Sequence, residues 1–134
     1  MKTKLTVIVD NTPSGDIKGE WGLSILVEYG GKKILADAGA SDLFAENMKA
    51  IGLDITDIDY ATLSHAHYDH ANGMPKFFNE NKMAKLYIRE TTAENCYEKV
   101  FFFHFGSIFL SGLSDGKNIS EAVSDWIVVR AEPI

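Results

Sequence analysis

The residues best suited to metal binding or catalysis lie in one short segment, residues 64–73, with the sequence SHAHYDHANG. Three of the chain's four histidines and one carboxylate fall within it. Imidazole and carboxylate groups are the common ligands of catalytic zinc and of related first-row metals. If the backbone is extended through His65 and His67, both imidazoles lie on one side, because side chains alternate with period two. Asp69 and His70 could complete that site or hold a second cation, and the alternative is a polar, histidine-rich surface loop.

The elements around this segment predict a strand before it and a short helix after it. The apolar residues 58–63 indicate a strand that delivers Ser64 and the histidines at its carboxyl end. Catalytic groups commonly lie on loops that follow a rigid strand. Residues 73–79 predict a short helix with Met74, Phe77 and Phe78 facing inward, and residues 85–89 predict another strand. The sequence therefore places the candidate ligands on a loop at the carboxyl end of a strand.

The first part of the chain predicts an antiparallel hairpin rather than a strand-helix-strand unit. Strands are expected at residues 5–10, 23–29 and 33–37, and Gly30-Gly31 is a two-residue hairpin signal. A helix is expected at residues 42–51, with Ser41 as its N-cap and Gly52 at its carboxyl end.

The last third of the chain gives weaker patterns. Thr91 and Glu94 form a capping-box pattern that predicts a helix through about Lys99. Residues 101–105, FFFHF, have no assignable period, and residues 126–130 predict a terminal strand. His104 lies among four phenylalanines, so we interpret it as a structural residue rather than a ligand. The single cysteine, Cys96, is interpreted as a half-buried apolar residue.

Composition limits the classes of protein that this chain can represent. Its 134 residues suit a single domain, and 46% hydrophobic residues are enough to form a core. The net charge of −6 argues against nucleic acid or an anionic membrane as the main partner. No apolar run reaches the ~20 residues that cross a bilayer. The first residues show no signal-peptide core, so we expect a cytoplasmic protein.

Two segments resemble the amino-terminal half of the metallo-β-lactamase fold. They are residues 34–39, ILADAG, and residues 63–73, LSHAHYDHANG. The spacing between the two segments along the chain is the one that the family shows. Residues 9–11, VDN, and 20–24, EWGLS, look most like the dihydropterin ribofuranosyl-aminobenzene phosphate synthase-like branch. The resemblance implies an α+β fold: half of an αββα sandwich, with a mostly antiparallel or mixed sheet and helices on one face.

The same resemblance implies roles for individual residues. His65 and His67 would hold a first metal, while Asp69 and His70 would hold a second. Asp69 would also orient the nucleophile, which makes it the catalytic candidate. The metal would be zinc, or manganese or iron, as one or two ions. Asp37 would position a ligand histidine, and its alternative interpretation is a residue that only initiates a turn.

The chain also departs from the family pattern. Complete two-metal sites in the family use two further histidines and a bridging aspartate from the second half. This chain has only one further histidine, His104. We therefore expect partial metal occupancy, and either a homodimer or a companion chain that supplies the second half. The expected function is metal-dependent hydrolysis of an ester, amide or phosphoester. The alternative is a non-catalytic half-domain that binds metal weakly or serves as an interaction module.

Overall fold

The computed structural model describes residues 2–89, together with the backbone of three short strands at 98–100, 103–105 and 127–129. A six-stranded sheet has the order β1-β2-β3-β4-β5-β8. Its strands are β1 Lys4–Val9, β2 Ser24–Tyr29, β3 Lys32–Ala36, β4 Tyr60–Leu63, β5 Lys85–Arg89 and β8 Ile127–Val129. The first three strands pair antiparallel and the remaining pairs are parallel. The α+β fold with a mixed sheet, expected from the sequence, is confirmed.

The β2–β3 connection is the tight hairpin that the glycine pair predicts. Tyr29 pairs with Lys32 across it, and Gly30 and Gly31 have φ values of 58° and 76°. Two successive positive φ values match the right-handed twist of the strands, which is why glycine is preferred at both positions.

In the part of the chain that the structure describes, three short helices accompany the sheet: α1 at Leu43–Ala50, α2 at Tyr68–Ala71 and α3 at Met74–Glu80. A 3₁₀ turn at Ile55–Asp57 leads into β4. Helices α1 and α3 agree with the expected ranges, whereas α2 is not anticipated by the sequence pattern. Ser41 is not the N-cap, because Asp42 occupies that position. The Ser41 hydroxyl instead donates to Glu20 at 2.6 Å and accepts from the Leu43 N–H at 3.1 Å.

The helices pack on one face of the sheet, as expected. Buried strand residues on that face form one apolar core with residues of α1 and α3; among them are Ile8, Leu26, Leu35, Ala61, Leu86, Phe44, Met48, Met74 and Phe77. On the opposite face, Leu5 and Val7 of β1 remain 67% and 44% exposed. None of the helices in the described part of the chain is long and apolar enough to cross a membrane.

The carboxyl-terminal part corrects one expectation. Residues 98 and 99, expected to end a helix, lie in strand β6, Glu98–Val100, which pairs antiparallel with β7, Phe103–Phe105. The cross-strand backbone hydrogen bonds outweigh the local capping pattern there. Thr91, Glu94 and Cys96 lie outside the described residues, and His104 is described only as backbone within β7. One domain over residues 1–134 stays a prediction.

Candidate metal centre

Strand β4 ends directly before the histidine segment and sets its starting position. His67 has extended backbone (φ −68°, ψ 147°) and is the N-cap residue of α2. Its carbonyl accepts from the N–H groups of His70 at 3.1 Å and Ala71 at 3.0 Å. The backbone is therefore extended at His67 and then enters one helical turn that carries Asp69 and His70.

The backbone of residues 37–39 ties this segment to the sheet. The Asp37 N–H donates to the Thr62 carbonyl at 3.0 Å, which continues the β3–β4 ladder. The Ala38 N–H donates to the His70 carbonyl at 2.8 Å. The N–H of residue 39 donates to the Leu23 carbonyl at 3.0 Å. Three consecutive amides thus connect β4, α2 and the start of β2.

Two glycines allow the chain segments around the site to approach this closely. A Cβ atom at Gly73 would lie 2.1 Å from the Ala38 carbonyl oxygen, and one at Gly22 would lie 2.4 Å from the Asp69 carbonyl oxygen. Both obstacles are backbone atoms, which cannot rotate away as a side chain could. The adjacent Leu23 N–H also donates to the Asp69 carbonyl, at 3.1 Å. The position of Asp69 therefore depends on a glycine at position 22.

The Asp37 carboxylate contacts the histidine segment at Ser64 and His70 and accepts three hydrogen bonds. The residue is 4% exposed and has a positive φ of 57°, which aspartate tolerates better than most residues. Its Oδ1 accepts from the Ser64 N–H at 2.7 Å, and its Oδ2 accepts from the Ser64 hydroxyl at 2.7 Å. The same Oδ2 lies 2.8 Å from His70 Nδ1. Asp37 therefore orients a histidine of the segment, and does more than initiate a turn.

The four expected ligands lie close together. The ring centroids of His65 and His67 are 4.6 Å apart, and those of His65 and His70 are 4.2 Å apart. His70 Nε2 lies 3.8 Å from an Asp69 carboxylate oxygen. Within the described residues, no three such side chains already converge as a metal shell. The structure thus brings the candidates together, and their ligand roles stay a prediction.

The donor atoms fit a metal ion of the zinc type. His67 Nε2 is buried and has no hydrogen-bond partner, although buried polar groups are almost always paired. His65 and His70 each contact a hydrogen-bond partner through Nδ1. In both rings, Nε2 is therefore the nitrogen that could bind a metal. Burial lowers the pKa of His65, and the nearby His70 and His67 lower it further. A lowered pKa favours the neutral imidazole that a metal requires.

Sequence reasoning assigned no role to Ser64 or to the segment 20–23. Ser64 contacts Asp37 through both its N–H and its hydroxyl, and its hydroxyl also lies 2.9 Å from His65 Nδ1. A hydroxyl residue directly before the first histidine was the available signal. For Gly22 the signal was only a glycine before a strand, which does not reveal its contact with Asp69.

Comparison with known proteins supports a family assignment. A family model described as the metallo-beta-lactamase superfamily matches residues 21–123. An uncharacterised protein of Methanocaldococcus jannaschii is 36% identical over 80 residues, which cover 59% of this chain and 30% of that protein. A ribonuclease of Thermus thermophilus is 32% identical over 82 residues, which cover 60% of this chain and 19% of that protein. The matched segment thus spans less than a third of either relative.

A solved structure supports the fold independently. It is described as a metal-dependent hydrolase of the beta-lactamase superfamily, and it matches with a TM-score of 0.61 at 20% identity. The match covers 98% of this chain and 43% of that chain, in agreement with half of a larger fold. The family match over most of the chain and the SHAHYDH segment that directly follows strand β4 lead to one conclusion: this chain belongs to the metallo-beta-lactamase superfamily.

Proposed function

We propose that this chain forms the metal-binding part of a metal-dependent hydrolase. The observation that carries the proposal is the buried, unpartnered Nε2 atom of His67. It lies in a group of three neighbouring imidazoles whose arrangement is fixed by backbone contacts from β3, β4 and α2. A buried nitrogen without a partner is costly unless a ligand completes it.

The residues take the roles that their chemistry allows. His65, His67, Asp69 and His70 would hold the metal, and zinc, manganese or iron suits these nitrogen and oxygen donors. The bound metal would supply Lewis acidity and bring the pKa of a water molecule from 15.7 to about 7. Asp69 would accept a proton or hydrogen bond from the attacking water, while Asp37 fixes the ring of His70.

The substrate class follows from the reaction type rather than from a pocket. An ester, an amide or a phosphoester each develops negative charge that a metal can stabilise. One relative is named a ribonuclease, which makes a phosphodiester the first class to assay. Large nucleic acids are not favoured as partners by the net charge of −6.

The experiment is hydrolysis of bis(4-nitrophenyl) phosphate and of 4-nitrophenyl acetate by the chain loaded with zinc, manganese or iron(II). His67→Ala should abolish hydrolysis, because it removes a metal-holding imidazole. Cys96→Ser is the matched control and should retain it, because the proposed chemistry uses no thiol. Equal loss in both variants, with unchanged circular dichroism spectra, would contradict the metal mechanism.

A second candidate is a half-domain that binds metal without turnover. It is favoured because the chain has four histidines in total and because the described side chains include no converged metal shell. This candidate predicts zinc that is lost in mild chelator washes, whereas stoichiometric zinc retained by a monomer would contradict it. Sedimentation of the same sample tests the expected homodimer, which together with the companion chain stays a prediction.

A further inference from the structure

We infer that Ser64 is a positioning residue that connects the Asp37 carboxylate to His65, so that one buried carboxylate fixes the tautomers of two histidines. The Ser64 hydroxyl lies between Asp37 Oδ2 at 2.7 Å and His65 Nδ1 at 2.9 Å. The same Asp37 oxygen contacts His70 Nδ1 at 2.8 Å. His70 is thus held directly and His65 through one hydroxyl.

The direction of each hydrogen bond follows from what each atom can donate. A carboxylate oxygen only accepts, so the Ser64 hydroxyl proton points to Asp37 in a charge-assisted bond. A hydroxyl has one proton, and the Ser64 oxygen must therefore accept from His65. His65 then carries its proton on Nδ1, and His70 carries its proton on Nδ1 for the same reason. Both rings present a lone pair on Nε2.

This arrangement opposes the intrinsic preference of the side chain. In water, a neutral histidine favours the proton on Nε2, which would block that atom as a ligand. The tautomer of a histidine is set by the hydrogen bond that its other nitrogen makes. Ser64 therefore prepares His65 for a ligand before any ligand arrives. The inference deepens the proposed function. The effect on metal binding rests on that proposal, whereas the tautomer assignment does not.

The two histidines are also coupled by their shared acceptor. Because Asp37 Oδ2 accepts from both the Ser64 hydroxyl and His70, a change at Ser64 alters the surroundings of His70 only weakly, through the carboxylate. A change at Asp37 releases both rings. A variant at position 64 should therefore affect His65 selectively, whereas a variant at position 37 should affect both histidines.

The test is long-range ¹H–¹⁵N NMR of the imidazoles in the metal-free chain, with the pH raised until the ring resonances no longer change. Wild type should show His65 and His70 with the proton on Nδ1. Ser64→Ala should move His65 toward the Nε2–H form and leave His70 unchanged, while Ser64→Thr, which keeps the hydroxyl, should restore His65. A wild-type His65 with its proton on Nε2 would overturn the inference, and this result needs no variant.

Zinc titration by calorimetry gives a second readout that does not depend on hydrolysis. Ser64→Ala should weaken zinc binding by roughly 10-fold, the lower range for removing a group that orients a metal-binding histidine. Ser64→Thr should bind like wild type. Unchanged affinity in Ser64→Ala would overturn the coupling of the tautomer to metal binding. If the NMR result holds and wild type binds no zinc, the proposed function fails while the tautomer assignment stands.

Discussion

At each end of the parallel pair β3–β4, an aspartate side chain accepts hydrogen bonds that link the two strands. The two aspartates differ sharply in their surroundings. At the amino end, Asp59 accepts from the Lys33 N–H at 2.9 Å and from the Lys32 ammonium at 2.6 Å. At the carboxyl end, Asp37 accepts from Ser64 and His70. Both aspartates join the same two strands, so the contrast between them isolates what is special to the end that carries the histidines.

The contrast lies in burial and in the charge of the donors. The Asp59 side chain is 28% exposed and pairs with a cation, whereas the Asp37 side chain is 6% exposed and accepts from an amide, a hydroxyl and an imidazole. An exposed ion pair contributes little and is easily replaced. A buried carboxylate has a large desolvation cost, and its hydrogen bonds must offset that cost. The aspartate with the larger desolvation cost, Asp37, is the one that orients a candidate metal ligand.

The largest expected effect comes from removing the buried carboxylate. Asp37→Ala leaves its donors without an acceptor and places alanine at a positive φ of 57°. We expect the free energy of unfolding to fall by about 4 kcal/mol, from lost hydrogen bonds to a charged group and from backbone strain. Asp59→Ala, the matched control at the other end, should have a clearly smaller effect. Urea unfolding of both variants measures this, and equal losses would remove the distinction between the two ends.

A second test concerns how tightly the two ends are packed. Gly73→Ala places a Cβ 2.1 Å from the Ala38 carbonyl oxygen, and Gly73 has an ordinary negative φ of −77°. The penalty is therefore steric, and we expect about 3 kcal/mol. Gly31→Ala, in the hairpin, meets no atom within 4 Å but has a φ of 76°. Its cost should be only the backbone strain of about 1 kcal/mol, and the reverse order in thermal unfolding would contradict the packing described for the histidine end.

The smallest expected effect concerns pH at the exposed end. The hydrogen bond from the Lys32 ammonium, followed by that from the Lys33 N–H, holds the pKa of Asp59 below its ordinary value. The folded state thus favours the carboxylate, so its stabilisation is complete above the unfolded pKa of about 3.9 and is lost as the pH falls through the lower folded pKa. Asp59→Asn should lower the Tm slightly at pH 7, and the difference from wild type should shrink as the pH falls below about 3.9. A difference that stays constant with pH would show that the carboxylate charge is not involved.

Local sequence patterns were sufficient for the elements whose contacts are local. The Gly30-Gly31 hairpin, the strand at Lys85–Arg89 and the histidine segment after β4 all follow from spacing and turn chemistry. The resemblance to the family suggested a role for Asp37 but left it undecided.

The remaining features depend on contacts between distant parts of the chain. Asp37 and His70 are 33 positions apart, and the hydroxyl of Ser41 is taken by Glu20, 21 positions away. No periodicity in either segment reveals such a pair. The helical turn α2 was missed for the same reason, because its position is stabilised by the long-range bond from Ala38 to His70 as well as by local propensity.

The central claim is that the SHAHYDH segment, held by Asp37, is a metal site. Zinc titration of the ¹⁵N-labelled, metal-free chain, followed through the histidine ring resonances, tests it most directly. The account predicts that the rings of His65, His67 and His70 shift together with added zinc, that His104 does not follow them, and that Asp37→Asn weakens the response of all three. Zinc that leaves these three rings unchanged, or that shifts His104 alone, would contradict the account.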